Sequence, residues 1–178
     1  MSQKSKYPLL KITSKLQWFL LTVIVSFIIN QNIQANQTKQ DSLNVIIKTL
    51  KYKAKKCDKV GDIYNAIDNY EKYLFYKSKD VKLTYRLATL FFITRNYSKA
   101  RQYYDSVLTI KPEKYPLSWY YSGIVCMNLE FYNAAIDNFT KFKKVYKKKN
   151  DPEEFRKMAG IYIESCEWAK NQSVLMIK

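Results

Sequence analysis

Carboxylates and thiols are the side chains of this sequence that could take part in chemistry. Glu164 and Glu167 are spaced so that both lie on one face of a helix, and 3 cysteines are spread along the chain. The 178 residues include no histidine, so the commonest general base and neutral metal ligand are absent. A cysteine without a histidine partner makes a poor catalytic dyad, and no cysteine pair has zinc-site spacing. We therefore predict a non-catalytic protein that needs no cofactor and no metal.

The elements that carry these residues repeat along the chain. An alanine is followed four residues later by an aromatic residue, in three copies: Ala66 and Tyr70, Ala100 and Tyr104, Ala135 and Phe139. The copies begin 34 and 35 residues apart, a period typical of stacked helical hairpins. The small residue lets two antiparallel helices approach closely, and the aromatic ring fills the space between hairpins.

The repeat resembles that of the tetratricopeptide (TPR) family, W-x2-L-G-x2-Y followed by A-x3-F and P. The first-helix copies are Leu50-x2-Lys53-Ala54-x2-Cys57, Thr84-x2-Leu87-Ala88-x2-Phe91, Trp119-x2-Ser122-Gly123-x2-Cys126 and a half copy, Phe155-x2-Met158-Ala159-x2-Tyr162. Pro112 supplies the final proline of the second copy. The resemblance covers residues 45–170 and implies an all-α, right-handed α-solenoid of about three and a half TPR hairpins.

The sequence divides into a signal peptide (1–35), a polar leader (36–42), a TPR domain (43–170) and a C-terminal tail (171–178). Helices are predicted at 43–59, 63–76, 80–94, 97–110, 116–129, 132–148 and 152–170. Asp151 and Pro152 have the residue types of a helix start. The apolar tail is expected to fold back over the last helix.

The N-terminus has the features of an export signal. Four lysines, at positions 4, 6, 11 and 15, precede an apolar run from Leu16 to Ile29, and no acidic residue occurs before Asp41. The run is shorter than the roughly 20 residues of a membrane span and fits a secretory signal. Cleavage after Ala35 would leave Asn36 at the new terminus. An uncleaved inner-membrane anchor is the alternative, and both predict an exported chain in the periplasm or on the periplasmic face of a membrane.

The net charge of +16 allows two interpretations. Lysines can simply solvate the surface, or they can attract an anionic partner. Export argues against nucleic acid as that partner. Two functions therefore remain open, a groove that binds a protein or peptide, and a membrane-associated accessory protein that binds anionic lipid or glycan.

The TPR resemblance implies where a partner would lie, because the first helices of such arrays line a concave groove. A groove that is basic at one end and aromatic to apolar at the other suits a peptide with an acidic segment. The groove residues implied in this way are Lys48, Lys51, Lys55, Lys59, Tyr85, Thr89, Phe92, Tyr120, Ile124, Met127 and Asn128. Some TPR proteins clamp a chaperone's terminal carboxylate, but only Lys51 matches that clamp, so none is inferred.

A narrower resemblance rests on two segments. Tyr64-Asn65-Ala66-Ile67-x2-Tyr70-Glu71-Lys72-Tyr73-Leu74 and Ile163-x2-Cys166-x2-Ala169 resemble exported TPR proteins of Bacteroidetes-type bacteria. In some of these, the TPR segment precedes a β-propeller and an OmpA-like domain, and some act in type IX secretion. This resemblance implies a partner among envelope or secretion proteins.

The cysteines are predicted to be small buried hydrophobes. Cys57 and Cys126 occupy the same slot of two different repeats. That separation is too large for a disulfide, which needs Cα atoms within about 7 Å. Cys166 is left as a candidate free thiol.

Overall fold

The computed structural model describes residues 8–147 and 154–175. These described residues form seven helices and no strand, which confirms the all-α prediction. The helices are α1 (Pro8–Lys59), α2 (Ile63–Tyr76), α3 (Val81–Ile93), α4 (Tyr97–Ile110), α5 (Leu117–Asn128), α6 (Tyr132–Val145) and α7 (Phe155–Leu175).

The chain separates into two compact units, residues 1–48 and residues 49–178. The described part of the first unit is a stretch of α1 whose apolar side chains between Leu16 and Ile33 are exposed. From Leu16 onward, α1 is long and apolar enough to cross a membrane, a test that secretory signals also pass. The finding is compatible with both the signal peptide and the anchor.

The first helix begins earlier than predicted. Residues 36–42, expected to be a polar leader ahead of a helix at 43, are helical, and α1 begins at Pro8. No glycine or proline occurs between residues 9 and 60 to break the helix. The hydroxyls of Thr38 and Ser42 donate to the carbonyls of Gln34 and Thr38, at 2.8 and 2.9 Å, so these polar groups are satisfied within the helix.

The second unit consists of hairpins whose internal turns share one geometry. The end of α1 pairs with α2, α3 with α4, and α5 with α6, while α7 packs against α6 and α5. Gly61, Arg95 and Glu130 have positive φ angles of 79°, 58° and 62°. The residue that follows each of them donates its backbone N–H to the carbonyl oxygen of the residue five positions before it, at 2.9 Å. This is the Schellman helix ending, repeated with the sequence period.

The starts of α2, α3 and α4 are capped by short acidic or amide side chains, whereas α5 and α6 have no side-chain cap. Asp62, Asp80 and Asn96 each accept a hydrogen bond from the backbone N–H three residues ahead, at 3.2–3.3 Å. These bonds satisfy N–H groups that the helix itself leaves unpaired. In the first two hairpins, the Schellman ending and the side-chain cap together fix the tight turn, whereas the third hairpin has the Schellman ending without a side-chain cap.

The core of the second unit confirms the packing prediction. Ala66, Ala100 and Ala135 are completely buried, and the paired rings of Tyr70, Tyr104 and Phe139 are at most 2% exposed. The small first-helix positions Ala54, Ala88, Gly123 and Ala159 are also buried. The helices therefore cross at small residues, and the aromatic rings fill the layer between hairpins.

The C-terminal helices differ in extent from the prediction. Helix α6 ends at Val145 rather than at 148, and the predicted start of the last helix at Asp151 and Pro152 lies outside the described residues. Helix α7 runs to Leu175, so residues 171–175 continue it rather than fold back as a separate tail. Within the basic run, Phe142 and Tyr146 are buried and the described lysines are exposed, as a solvated helix face requires.

Candidate functional site

A cleft of about 570 Å³ opens between the end of α1, the start of α3 and the loop that precedes α5. Three successive hairpins contribute to it: α1 and α2 form the first, α3 belongs to the second, and the loop leads into the third. We call this surface the basic cleft. It is lined by Lys51, Lys55, Asp58, Tyr70, Asp80, Lys82, Leu83, Tyr85, Arg86, Lys114 and Tyr115.

One wall of the basic cleft is a fork between Arg86 and Asp58. The guanidinium donates from Nε to Oδ2 at 2.8 Å and from Nη2 to Oδ1 at 2.5 Å. The hydroxyl of Tyr70 also donates to Asp58, at 3.1 Å. The Arg86 hydrogen bonds lower the pKa of Asp58, and burial beside that carboxylate raises the pKa of Tyr70 to about 12. Bidentate pairs of this kind have little freedom, so the fork rigidly joins α1 to α3.

A second pair lies beside the fork. Lys51 Nζ donates to Asp80 Oδ2 at 2.9 Å, and the hydroxyl of Tyr73 donates to the same oxygen at 3.0 Å. Burial alone would raise the pKa of Asp80, but the bonds from Lys51 and Tyr73 outweigh it and lower that pKa. The bond to Asp80 raises the pKa of Lys51. Both carboxylates of the cleft are therefore ionised and already neutralised by cations of the same chain.

Three lysines on the rim are left without such a partner. Among the described residues, no carboxylate lies within ion-pair distance of Lys55, Lys82 or Lys114. Five cations and two carboxylates line the cleft, which gives a net charge of +3. Because the two carboxylates are held by Lys51 and Arg86, the excess positive charge is concentrated on these three lysines.

Tyrosine rings form an apolar side of the basic cleft. The rings of Tyr85 and Tyr115 are 5.2 Å apart at their centroids, and Tyr85 also meets the edge of Tyr104 at 6.0 Å. Burial raises the pKa of Tyr85 to about 12, so its hydroxyl stays neutral and can donate. The cleft can thus offer both cations and aromatic faces to a ligand.

The structure brings together three of the predicted groove residues in this cleft. Lys51, Lys55 and Tyr85 line it, whereas Lys59 is exposed elsewhere on α1, and Lys48 is exposed in the first unit. Their role in binding stays a prediction.

Other predicted groove residues lie along α3 and α5. Thr89 is half-buried and accepts from the Tyr104 hydroxyl at 3.5 Å, and the ring of Phe92 packs on Tyr97 and Tyr121. Ile124 and Met127 are half-buried, and Asn128 is exposed.

Tyr120 is a correction. The sequence places its ring on the open face of α5, but it is only 5% exposed. It packs against Phe139, Phe142 and Phe155, with ring centroids 4.9–5.9 Å apart. The reason is that α7 covers this face of α5, so a first-helix aromatic becomes part of the core between hairpins.

Several cleft residues were not singled out from the sequence. Asp58, Asp80, Lys82, Lys114 and Tyr115 lie at helix ends and in loops rather than along the first helices. The repeat alignment could have located two of them, because Asp80 and Tyr115 occupy equivalent positions, four residues before Thr84 and Trp119.

No cluster of metal-ligating side chains is present among the described residues. Two of the three thiols are also poorly suited to chemistry, and the third, Cys57, is half-buried rather than fully buried as predicted. Cys126 and Cys166 are each 1% exposed, and burial raises the pKa of both. Cys166 is therefore a core residue and not an accessible thiol.

No known family's sequence profile matches the chain, and no curated protein matches it in sequence. Solved structures match it in fold. The first TPR domain of Spaghetti (RPAP3), bound to the HSP90 peptide SRMEEVD, is 18% identical, with a TM-score of 0.55 over 70% of this chain and 93% of that one. The chain has the tetratricopeptide fold.

Two further TPR domains agree. The TPR2B domain of yeast Sti1, in complex with pHsp70, is 9% identical, with a TM-score of 0.55 over 70% of this chain and 98% of that one. The Sgt2 TPR domain of Aspergillus fumigatus is 16% identical, with a TM-score of 0.54 over 71% and 80%. The predicted helical-hairpin solenoid is thereby confirmed.

Proposed function

We propose that this chain is a non-catalytic interaction scaffold that binds an acidic segment of a protein partner in the basic cleft. The observation that carries the proposal is the set of three rim lysines, Lys55, Lys82 and Lys114, which have no carboxylate partner among the described residues. A carboxylate-bearing segment would supply the missing charges, and its neighbouring apolar side chains would contact Tyr85 and Tyr115.

Two observations support a peptide as the ligand. The basic cleft is open and bounded by preorganised ion pairs, so a chain can lie across it without reorganising its walls. Two structures with the same fold contain partners, the HSP90 peptide SRMEEVD in one and pHsp70 in the other. The HSP90 peptide SRMEEVD is itself acidic.

The test uses two labelled peptides, one of alternating glutamate and leucine and one of alternating lysine and leucine. We expect the full chain in detergent to bind the acidic peptide and to leave the basic peptide free, as measured by fluorescence anisotropy. Lys55→Glu with Lys82→Glu should weaken binding by about tenfold or more, because it replaces attraction with repulsion.

The matched control is Lys53→Glu with Lys56→Glu. Both lysines are exposed on α1 and neither lines the basic cleft. This variant has the same charge change, so binding should stay within about twofold of the unmodified chain. Equal losses in the two variants would mean that net charge, and not the cleft, attracts the peptide.

A second function is favoured by one observation, the exposed apolar stretch of α1 together with many lysines. In this case the protein is a membrane-associated accessory protein that holds anionic lipid or glycan on its lysine surface. Vesicles with and without phosphatidylglycerol separate the two functions. Vesicle binding that is lost in high salt and is equally reduced by both lysine variants would favour this alternative.

We place the protein in the cell envelope, with a partner among envelope or secretion proteins. The support is the sequence of residues 1–35, with four lysines before an apolar run. Periplasmic and membrane-anchored locations both leave the basic cleft available to exported partners. Recovery of the partner by cross-linking in intact cells of the source organism, followed by mass spectrometry, tests this location.

A further inference from the structure

A second cleft, of about 630 Å³, lies where α7 passes the end of α5 and the start of α6, and it shares no lining residue with the basic cleft. We call it the α7 cleft. Its lining is largely apolar or aromatic, with one carboxylate: Met127, Tyr132, Glu164, Ser165, Trp168 and Ala169. Trp168 is 67% exposed, which is unusual for the largest aromatic side chain and is typical of interaction sites.

The α7 cleft is lined by one carboxylate and no cation, in a strongly basic chain. Glu164 lines it, and Glu167 lies on the same helix beside Trp168. Among the described residues, neither carboxylate has a lysine or arginine within ion-pair distance. Seven of the ten other carboxylates that the structure describes in the second unit are paired with a lysine or arginine. The ligand that fits here is an aromatic or aliphatic side chain accompanied by positive charge.

A matching feature is present on the same chain. Phe75, at the end of α2, is 81% exposed, the highest fraction among the large apolar side chains that the structure describes. Its ring stands edge-on to Tyr76, with centroids 5.1 Å apart. Lys77 and Lys79 follow, both exposed and both without a carboxylate partner in the described part of the chain. We call residues 75–79 the aromatic knob.

We propose that a second copy of this chain docks its aromatic knob in the α7 cleft. Phe75 would contact Trp168, and Lys77 and Lys79 would approach Glu164 and Glu167. The two surfaces are complementary in both apolar character and charge, and each is otherwise uncovered in the described structure.

The contact joins two different surfaces, so it is heterologous. Because α2 and α7 belong to different hairpins, each copy can use its knob and its cleft at the same time, which builds a row of copies. Neither surface includes a lining residue of the basic cleft. Self-association through the α7 cleft is therefore independent of peptide binding in the basic cleft, and each can be tested without the other.

Charge reversal tests the proposal on the full chain in detergent. Lys77→Glu with Lys79→Glu reverses the knob, and Glu164→Lys with Glu167→Lys reverses the cleft. We expect the unmodified chain to self-associate in sedimentation velocity, and each variant alone to associate about tenfold or more weakly. A mixture of the two variants should regain association, because a reversed knob then faces a reversed cleft.

Two controls separate this contact from association through α1 and from an effect of net charge. Every sample keeps the apolar stretch of α1, so association through that stretch would be equal in all samples and would overturn the proposal. Lys53→Glu with Lys56→Glu has the charge change of the knob variant and should associate like the unmodified chain. Zero-length cross-links between carboxylates and lysines should join Glu164 or Glu167 to Lys77 or Lys79. A monomeric unmodified chain, or a mixture without rescue, would refute the contact.

Discussion

A Cβ atom added to Gly123 would lie 2.6 Å from Cε1 of Phe139. Both residues are buried between α5 and α6, and the aromatic ring fills the space that a side chain at position 123 would need. The equivalent position is alanine in the other copies. The third hairpin therefore has no space, without a shift of the Phe139 ring, for the methyl group that the other copies carry at this position.

Gly123→Ala should destabilise the protein by about 1–3 kcal/mol, because the Phe139 ring must move within a filled core. The measurement is the free energy of unfolding in urea, followed by circular dichroism. Gly160→Ala is the matched control. Its new methyl group would meet only Lys143 Nζ at 3.6 Å, so it should stabilise α7 by about 0.5–1 kcal/mol. A neutral Gly123→Ala would show that the ring has room to shift.

Arg95→Gly should raise stability. Arg95 ends its helix with a φ of 58°, whereas the equivalent residue of the first hairpin is Gly61, with a φ of 79°. The left-handed conformation costs a non-glycine residue about 1 kcal/mol. The side chain of Arg95 is exposed and makes no described ion pair, so its loss should cost little. We expect a gain of about 0.5–1 kcal/mol in the free energy of unfolding, and a drop would mean that the side chain has a stabilising role.

The repeat pattern predicted most of this fold because small and aromatic residues recur where helices cross. Ala66 and Tyr70 indicate a hairpin, and the same spacing indicates another wherever it returns. The extent of α1 was not predictable in the same way. Residues 36–42 are polar, which is typical of a leader, but no helix-breaking residue interrupts them and the helix continues through them.

The candidate site was predicted only in part, for a physical reason. The TPR resemblance implies which first-helix residues face a groove, and Lys51, Lys55 and Tyr85 are among them. It does not show which residues meet across hairpins. The Asp58–Arg86 pair joins residues 28 apart in sequence, and only the turn and crossing geometry brings them into contact.

Asp58→Asn should destabilise the chain by about 1–2 kcal/mol, because Arg86 then has one neutral amide oxygen to donate to instead of two carboxylate oxygens. This expected loss of stability is modest because the Arg86 side chain is 43% exposed, so solvent partly screens the ion pair. The pKa of Asp58 is lowered in the fold, so its stabilisation is complete above the unfolded value of about 3.9 and is lost as pH falls through the folded value. Unfolding in urea between pH 7 and pH 3 should show a shallower acid loss for the variant than for the unmodified chain. Identical pH profiles would contradict this role of Asp58.

The processing of the N-terminus distinguishes the signal peptide from the anchor. If residues 1–35 are a cleaved signal, chemical N-terminal sequencing of the envelope-fraction protein should begin at Asn36. The reason is that Ala35 supplies the small residue that a signal peptidase requires before the cut. Recovery of Met1 from the membrane fraction would instead establish the anchor. Ala35→Arg should block cleavage and retain the precursor, and Gln40→Arg, outside the cleavage motif, serves as its control.

Tyr85 and Tyr120 should separate binding from packing. Tyr120→Ala removes a ring surrounded by Phe139, Phe142 and Phe155, and we expect a loss of about 3–5 kcal/mol in the free energy of unfolding. The ring of Tyr85 is half-buried at the edge of the basic cleft. Tyr85→Ala should therefore cost less stability and weaken the binding of the acidic peptide by about tenfold or more. Tyr85→Phe keeps the ring, so it should retain most of the affinity if stacking dominates. If Tyr85→Ala instead lowers stability as much as Tyr120→Ala and leaves peptide affinity unchanged, Tyr85 is a core residue and the aromatic side of the cleft has no part in binding.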